Sequence, residues 1–426
     1  MKDVLHRLSG ARRDEILMFA VMLSVAIGNT GLQSVMPAIG RTLELPDTLV
    51  ALAFSLSALL WAACAPLWAR RMRSQHARRS VLIGLSGFVG ALSVCGLALT
   101  AGVRGWLPAV ASFGLFIVGR GIYGAIGSAS PPAAQAIVIA STARDQRTAA
   151  LSMLASAFGL GTIIGPALAP IFILPVVGLA GPLFIFAAFG AGMMMAVRLL
   201  LPPGFETGRG VPTSEPAVGY GPEDNAVQAA ASDPPRAAIR LFDRRIRSWM
   251  IVGLVAGHAQ VITAQTLAFL VIDRLADSPA QAQPLVGMVL MCGAGAALLA
   301  QWGLVPRFGM QPRSMIVWGF ALAAIGNLGC AFAADLHMLA IAFAIASLGF
   351  GFLRPGYTAG ASLAVSEEEQ ALVAGHVTSV NGVVFLFGPF VGIGLYQFHQ
   401  ALPYLLSAAA MAAMTPYAAR ALRRAA

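Results

Sequence analysis

Residues 119–170 read GRGIYGAIGSASPPAAQAIVIASTARDQRTAALSMLASAFGLGTIIGPALAP and place Arg120 inside one apolar run and a Gly-Pro step in the next. Runs of this length and hydropathy are typical of membrane-spanning helices. A charged side chain at the bilayer centre is unfavourable by about 2.5 kcal/mol or more, so Arg120 indicates a functional site. The alternative is that Arg120 snorkels to the membrane surface or caps nearby backbone carbonyls.

Small residues and a proline share a helical face with Arg120. Gly124, Gly127 and Pro131 follow it at i+4, i+7 and i+11, and small residues beside a charge predict a cavity wall. In the next run Pro166 is expected to bend the helix. Small residues also recur there every four positions, at Ala157, Gly161, Gly165 and Ala169. Such a stripe of small residues lets another helix approach closely.

The second half of the chain repeats this pattern. Pro131 lies fifteen residues before Gln146, and Pro355 lies fifteen before Gln370. The Gly165-Pro166 step has its counterpart in Gly388-Pro389. Internal repeats of this kind mark transporters built from two related halves, with the substrate site near the bilayer midplane between them.

The composition excludes an ordinary soluble protein. Apolar residues make up 58% of the 426, charged residues 11%, and the mean hydropathy is +0.77. The net charge of +10 raises the possibility of a nucleic-acid partner, but placing both termini in the cytoplasm puts most basic residues inside and explains the charge better. The four cysteines lack the spacing of a disulfide framework or metal site and are interpreted as small core residues.

Hydropathy predicts an all-α membrane protein with twelve spans in two pseudo-symmetric six-helix halves. The expected domains are an N-terminal half at 1–200, a cytoplasmic linker at 201–246 and a C-terminal half at 247–426, with no cleavable signal peptide. The predicted spans are 16–38, 48–69, 80–102, 106–140, 147–170, 176–200, 248–272, 283–304, 314–333, 337–364, 370–396 and 401–420.

Twelve spans, a central linker and half-chain repeats resemble the major facilitator superfamily. Arg120 and Gly124 match the family's fourth-helix motif, with Tyr123 where a glutamine is usual. Residues 157–166 are similar to the fifth-helix motif of proton-coupled drug exporters, which implies the twelve-span drug:proton antiporter branch with its tetracycline and multidrug efflux proteins. The residues that this resemblance assigns to conformational motifs are Gly159, Gly161, Gly165, Pro166, Gly388, Pro389, Arg70 and Arg307; the aspartate usual in the loop motif is missing.

No Asp or Glu falls in the middle of a predicted span, so proton coupling needs another titratable group. His258 and His376 are the candidates, with Asp273 as a third, although membrane histidines are more often packing residues. Arg120 and Arg354 predict an electropositive cavity that favours an anionic or zwitterionic substrate. The alternative for Arg354 is that it serves the helix break before Pro355 or faces the cytoplasm. The full set of substrate and proton-pathway candidates is Arg120, Tyr123, Asn29, Gln33, Gln135, His258, Gln265, Arg354, Tyr357, His376 and Asn381.

These features favour a secondary active transporter that exports a small amphipathic compound across a bacterial inner membrane by alternating access and proton antiport. The alternative is a carrier for a specific organic anion or siderophore-like metabolite that need not use protons. A membrane-embedded enzyme or receptor is a third interpretation, but no phosphate loop, metal-ligand cluster or nucleophile-base pair is visible in the sequence. We therefore expect a monomer in the lipid bilayer, with cytoplasmic termini, no enzymatic activity, no cofactor or metal, and no nucleic-acid partner.

Overall fold

The structure is a computed structural model and describes residues 10–71, 77–142, 147–174, 176–201, 241, 243–276, 278–366 and 369–422. Within these ranges the chain is almost entirely helical, and the β pairing is a single bridge between Leu174 and Gly178. Ten of the helical stretches are long and apolar enough to cross a membrane. The predicted all-α membrane fold is confirmed.

The first part of the chain forms seven α-helices in the described residues. They are α1 Gly10–Thr42, α2 Asp47–Arg71, α3 Ala77–Val103, α4 Ala109–Ile122, α5 Ser130–Ser141, α6 Arg147–Leu168 and α7 Gly181–Leu200. A π-helical turn, Tyr123–Gly127, connects α4 to α5, so that the predicted fourth span is one interrupted helical run. The helix α6 contains Pro166 and ends at Leu168. A 3-10 turn, Ala169–Phe172, follows it directly.

The second part of the chain forms α8 Arg247–Leu275, α9 Pro279–Leu298, α10 Val305–Phe308, α11 Pro312–Phe332, α12 Leu336–Leu363, α13 Gln370–Phe398 and α14 Leu402–Ala421. A second π-helical turn, Leu299–Leu304, joins α9 to α10. The ten spanning stretches coincide with ten of the predicted spans, while the fifth and twelfth predicted spans correspond to α6 and α14. Most of the predicted linker, residues 202–240, lies outside the described residues.

The chain packs as two compact units. The first unit contains 1–35 and 56–231, and the second contains 36–55 and 232–426. Because the division falls between Val35 and Met36, α1 begins in the first unit and ends in the second.

In the first unit, glycines of α6 hold this helix against α1. A Cβ at Gly161 would collide with Ala26, and one at Gly165 would lie 2.5 Å from the carbonyl oxygen of Ile27 and 2.9 Å from the backbone nitrogen of Gly31. Thr30 reinforces the contact, since its Oγ1 donates to the Gly161 carbonyl at 3.0 Å. The close approach that the small-residue stripe predicts is therefore present.

The second unit contains the equivalent contact between α13 and α8. A Cβ at Gly388 would lie 2.8 Å from Cγ1 of Val261, and one at Gly392 would lie 3.1 Å from Cα of Ile262. Gly388 and Pro389 are both buried. The repeat seen in the sequence thus corresponds to the same kind of helix packing within each unit.

We predict that Gly165→Ala destabilises the protein. The added methyl group would overlap backbone atoms of α1, and backbone cannot move aside as a flexible side chain can, so a loss of about 1–3 kcal/mol is expected. The matched control is Gly192→Ala in α7, where an added Cβ meets no atom within 4 Å. Melting temperatures from size-exclusion profiles of heated samples measure the effect. Equal melting temperatures for the two variants would contradict the packing described here.

Candidate functional site

Arg120 lies in the last turn of α4 and is among the largest fully buried side chains, at 2% exposure. Its Nη1 donates a hydrogen bond to Oδ1 of Asn29 on α1 at 3.0 Å. Its guanidinium carbon lies 4.9 Å from the centre of the Tyr123 ring, within the range of a cation–π interaction. The structure thus brings three of the predicted site residues together, and Arg120 neither snorkels nor lies at a surface.

The π-helical turn after Arg120 explains how the chain accommodates this side chain. A π turn carries one extra residue and leaves backbone carbonyls without their usual helical partners. Two side chains of α2 donate to carbonyls in this region: Ser57 Oγ to Arg120 at 3.0 Å and Trp68 Nε1 to Ala125 at 2.7 Å. The turn is therefore held by α2.

Gly124 has a packing role instead of the predicted place in a cavity wall. A Cβ there would lie 2.5 Å from the carbonyl oxygen of Ser57 and 2.9 Å from Cβ of Leu60, so only glycine lets α2 come this close. The prediction of a cavity wall is therefore wrong at Gly124, where α2 occupies the space.

Aromatic rings enclose the Arg120 site. Tyr123 is 4% exposed, and its ring centre lies 4.9 Å from that of Trp61 and 6.2 Å from that of Phe88. A cavity of about 10 Å³, large enough for roughly one water molecule, lies beside the guanidinium. Its lining residues are Asn29, Leu32, Phe88, Ala91, Leu92, Cys95, Arg120 and Tyr123. A larger ligand would reach Arg120 only after these side chains move.

In the second unit the structure brings Tyr357 and Asn381 together. The Tyr357 hydroxyl donates to Oδ1 of Asn381 at 2.7 Å, and Tyr357 is 3% exposed. Arg354, one turn before Tyr357 on α12, is exposed. The electropositive cavity predicted from these two arginines stays a prediction, since Arg120 is buried and Arg354 is exposed.

A buried polar pair in the second unit was not predicted. Thr263 of α8 and Asn327 of α11 are both fully buried, and Thr263 Oγ1 donates to Asn327 Oδ1 at 2.6 Å. Asn327 also donates through Nδ2 to the carbonyl of Ala323 at 2.8 Å. The available signal was a single asparagine inside an otherwise apolar run, a pattern in which interhelical hydrogen bonding is common.

The histidine candidates occupy separate positions on α8 and α13. His258 is half-buried, and its Nδ1 lies 2.8 Å from the carbonyl oxygen of Leu254 in the preceding turn. His376 of α13 is half-buried as well. Of the predicted glutamines, Gln33 and Gln265 are half-buried and Gln135 is buried.

A polar cluster at the end of α1 also escaped the sequence analysis, apart from Asp273. Nη2 of Arg41 lies 2.9 Å from a carboxylate oxygen of Asp47 and 3.1 Å from one of Asp273 on α8. The Tyr396 hydroxyl of α13 donates to the same Asp273 oxygen at 2.8 Å, and the Arg41 guanidinium lies 5.7 Å from the centre of the Phe269 ring. All five residues belong to the second unit. Asp273 is thus engaged by Arg41 and Tyr396.

Another ion pair lies outside the membrane-spanning segments. Arg245 donates to both carboxylate oxygens of Glu369, at 2.9 and 3.1 Å. The hydrogen bonds from Arg245 lower the pKa of Glu369, and the backbone N–H of Arg245 lowers the pKa of Asp243. The stabilisation is therefore present at neutral pH and lost as the pH falls through these lowered values. Because Arg245 is 47% exposed, the contribution to stability is small.

The remaining predictions concern motif residues and cysteines. Arg307 is exposed in α10, while the burial of Arg70 and of Gly159 lies outside what the structure describes. All four cysteines are unpaired. Cys95 and Cys330 are buried as expected, but Cys292 is exposed on α9, so its assignment to the core is wrong.

Solved structures with a similar fold include three transport proteins. The human organic anion transporter MFSD10 (TETRAN) is 19% identical with a TM-score of 0.61, over 95% of this chain and 98% of that one. The nucleoside transporter NupG is 12% identical with a TM-score of 0.68, over 97% and 99%. The fucose:proton symporter FucP of E. coli is 14% identical with a TM-score of 0.56, over 97% and 99%. At these identities the likeness shows the fold alone.

Sequence comparison gives the family. No curated protein sequence is a significant match. The family model of the Major Facilitator Superfamily, however, matches residues 17–310, which is well over half of the chain. The protein is therefore a multi-pass membrane protein that belongs to the Major Facilitator Superfamily.

Proposed function

We propose that this member of the superfamily is a secondary active transporter that exports a small amphipathic compound across a bacterial inner membrane, by alternating access and in exchange for protons. The observation that carries the proposal is the burial of Arg120 in a spanning helix, bonded to Asn29 and packed on Tyr123. A buried ionisable side chain in a membrane helix marks a substrate or ion pathway. We propose that the protein works as a monomer with both termini in the cytoplasm.

The charge of Arg120 favours a substrate with an anionic or strongly polar group. A guanidinium remains protonated at all physiological pH values, and the amide oxygen of Asn29 accepts a hydrogen bond without neutralising the charge. In surroundings of low dielectric constant, attraction to a substrate anion is stronger than in water. The aromatic rings of Tyr123 and Phe88 would supply the apolar part of an amphipathic site.

Export is proposed because residues 157–166 resemble the motif of proton-coupled drug exporters. Gly161 and Gly165 of this stretch lie on the contact with α1. Asn29, the partner of Arg120, is on the same helix. The stretch that resembles the exporter motif and the Arg120 site therefore share α1.

Proton exchange needs a titratable group, and His258 is the first choice. It lies in the middle of α8, and histidine side chains exchange protons near neutral pH. Asp273 on the same helix is the second choice, because its carboxylate is shared between Arg41 and Tyr396.

A second candidate function is uniport of a particular organic anion. The positive charge of Arg120 favours it. The two candidates differ in whether transport moves protons and in whether cationic compounds compete.

We predict that Arg120→Ala reduces transport about tenfold or more in proteoliposomes that contain a pH dye. One charge-assisted hydrogen bond contributes roughly 1.5–3 kcal/mol, and Arg120→Lys should restore part of the activity because it keeps the charge. The probes are fluorescein as an anion, tetracycline as a zwitterion and ethidium as a cation. The matched control is Arg198→Ala, which removes an exposed arginine from α7.

The outcomes separate the candidates. Antiport through His258 is supported if the anion or the zwitterion drives proton movement in the wild type and this proton movement is lost in both Arg120→Ala and His258→Ala. Anion uptake without proton movement supports the carrier instead. Unchanged transport of every probe in Arg120→Ala would contradict a role for Arg120 in either function.

A further inference from the structure

The end of the second unit at which α8 begins carries arginines that differ in their partners. The backbone N–H of Arg247 donates to the carbonyl of Asp243 at 2.8 Å, so a single helical turn joins these two residues. Within this turn Arg245 is paired with both Asp243 and Glu369. Arg244 and Arg247 are exposed, and their side chains have no hydrogen bond or ion pair among the described residues.

The two unpaired arginines are held close to each other. Residues three apart on a helical turn are neighbours, with about 5–6 Å between their Cβ atoms, and like charges at this spacing are destabilising. Ile246 lies between them in the sequence and is fully buried in the hydrophobic core of the second unit, as Trp249 is almost completely. The core therefore fixes this turn, and an anion bound by both guanidinium groups would remove the repulsion between them.

A mostly aliphatic groove between α8 and α14 lies on the side of α8 that carries Arg247. Leu254 lines the groove and follows Arg247 by seven residues, which is two helical turns, so the two side chains share a face of α8. On α14 Leu406 lines the groove, and the exposed Arg420 follows it by fourteen residues, close to four turns. The start of α8 and the end of α14 pack in the same hydrophobic cluster. Both walls of the groove thus have an arginine at the same end.

We infer that the phosphate group of an anionic glycerophospholipid, such as phosphatidylglycerol, binds to Arg244, Arg247 and Arg420, and that one of its acyl chains lies in the groove. Guanidinium groups match the geometry of phosphate oxygens, and arginines beside a spanning helix attract anionic lipids. The spanning stretch of α8 begins at Arg247, which is the level at which lipid phosphate groups lie. A water-soluble phosphate compound would use the arginines and leave the groove unused. The inference does not depend on the identity of the transported compound.

The test uses the full chain in phosphatidylcholine nanodiscs that contain a trace of phosphatidylglycerol with a diazirine in one acyl chain. After irradiation, mass spectrometry should place the label on residues 251–262 of α8 and 406–414 of α14. Added phosphatidylglycerol should compete at least tenfold better than phosphatidylethanolamine, whose ammonium group is repelled by the arginines. Glycerol 3-phosphate, a soluble source of the same phosphate group, should not compete at equal concentration.

Two double variants with the same change of charge separate this site from general attraction of anionic lipid to the protein. Arg244→Gln/Arg247→Gln should weaken the apparent affinity for phosphatidylglycerol about ten- to thirtyfold, the effect expected for two arginines near a membrane surface. Arg12→Gln/Arg79→Gln removes two exposed arginines of the first unit and should leave the labelling unchanged.

The groove has its own pair of variants. Ala410→Leu places a larger side chain in the groove and should reduce labelling, whereas Ala412→Leu, at an exposed position of α14, should not. Equal competition by phosphatidylethanolamine, equal competition by glycerol 3-phosphate, or an equal loss of affinity in the two double arginine variants would overturn the inference. The competition experiments use the wild type, so they decide the matter even if a variant fails to fold.

Discussion

Close approach of helix backbones is the constraint on which this structure depends. In a bilayer the hydrophobic effect does not drive helices together, because lipid tails are as apolar as leucine side chains, so packing and interhelical hydrogen bonds must do so. Here glycines of α6 and α13 supply the packing, and Thr30 adds a hydrogen bond between helices. The polar groups in each unit are positioned by these contacts. Asn29 reaches Arg120 because α1 is held by Gly161 and Gly165, and Asn381 reaches Tyr357 from the helix that Gly388 holds against α8.

Three polar side-chain pairs in the described residues join different helices. Arg120 meets Asn29, Thr263 meets Asn327, and Tyr357 meets Asn381. In each pair an amide side chain is one partner. An amide accepts and donates without carrying a charge, so it can hold a hydroxyl or a guanidinium in a membrane without adding a second unfavourable charge. The charged cluster around Arg41 differs, since it lies at helix ends and remains partly exposed.

The sequence was a good guide to the helices and to the contacts made by glycine, because both depend on local patterns. Apolar run length predicts a span, and a Gly-Pro step at matching positions of the two halves predicts similar packing. Contacts between distant residues were not predictable: Asn29 and Arg120 were both candidates, but nothing local indicates that residues 91 positions apart form a pair. The Arg41 cluster was missed because its residues end helices, where charges are usually solvated.

The π-helical turn at Tyr123–Gly127 makes the length of this segment as important as its composition. An α-helix rotates by about 100° for each residue. The extra residue of a π turn therefore changes the direction in which side chains before the turn point relative to side chains after it. Loss of one residue between Arg120 and Pro131 would restore a regular helix but turn the guanidinium roughly a quarter of a circle away from Asn29. A deletion of one residue here should therefore break the contact between Arg120 and Asn29 even though no other side chain is changed.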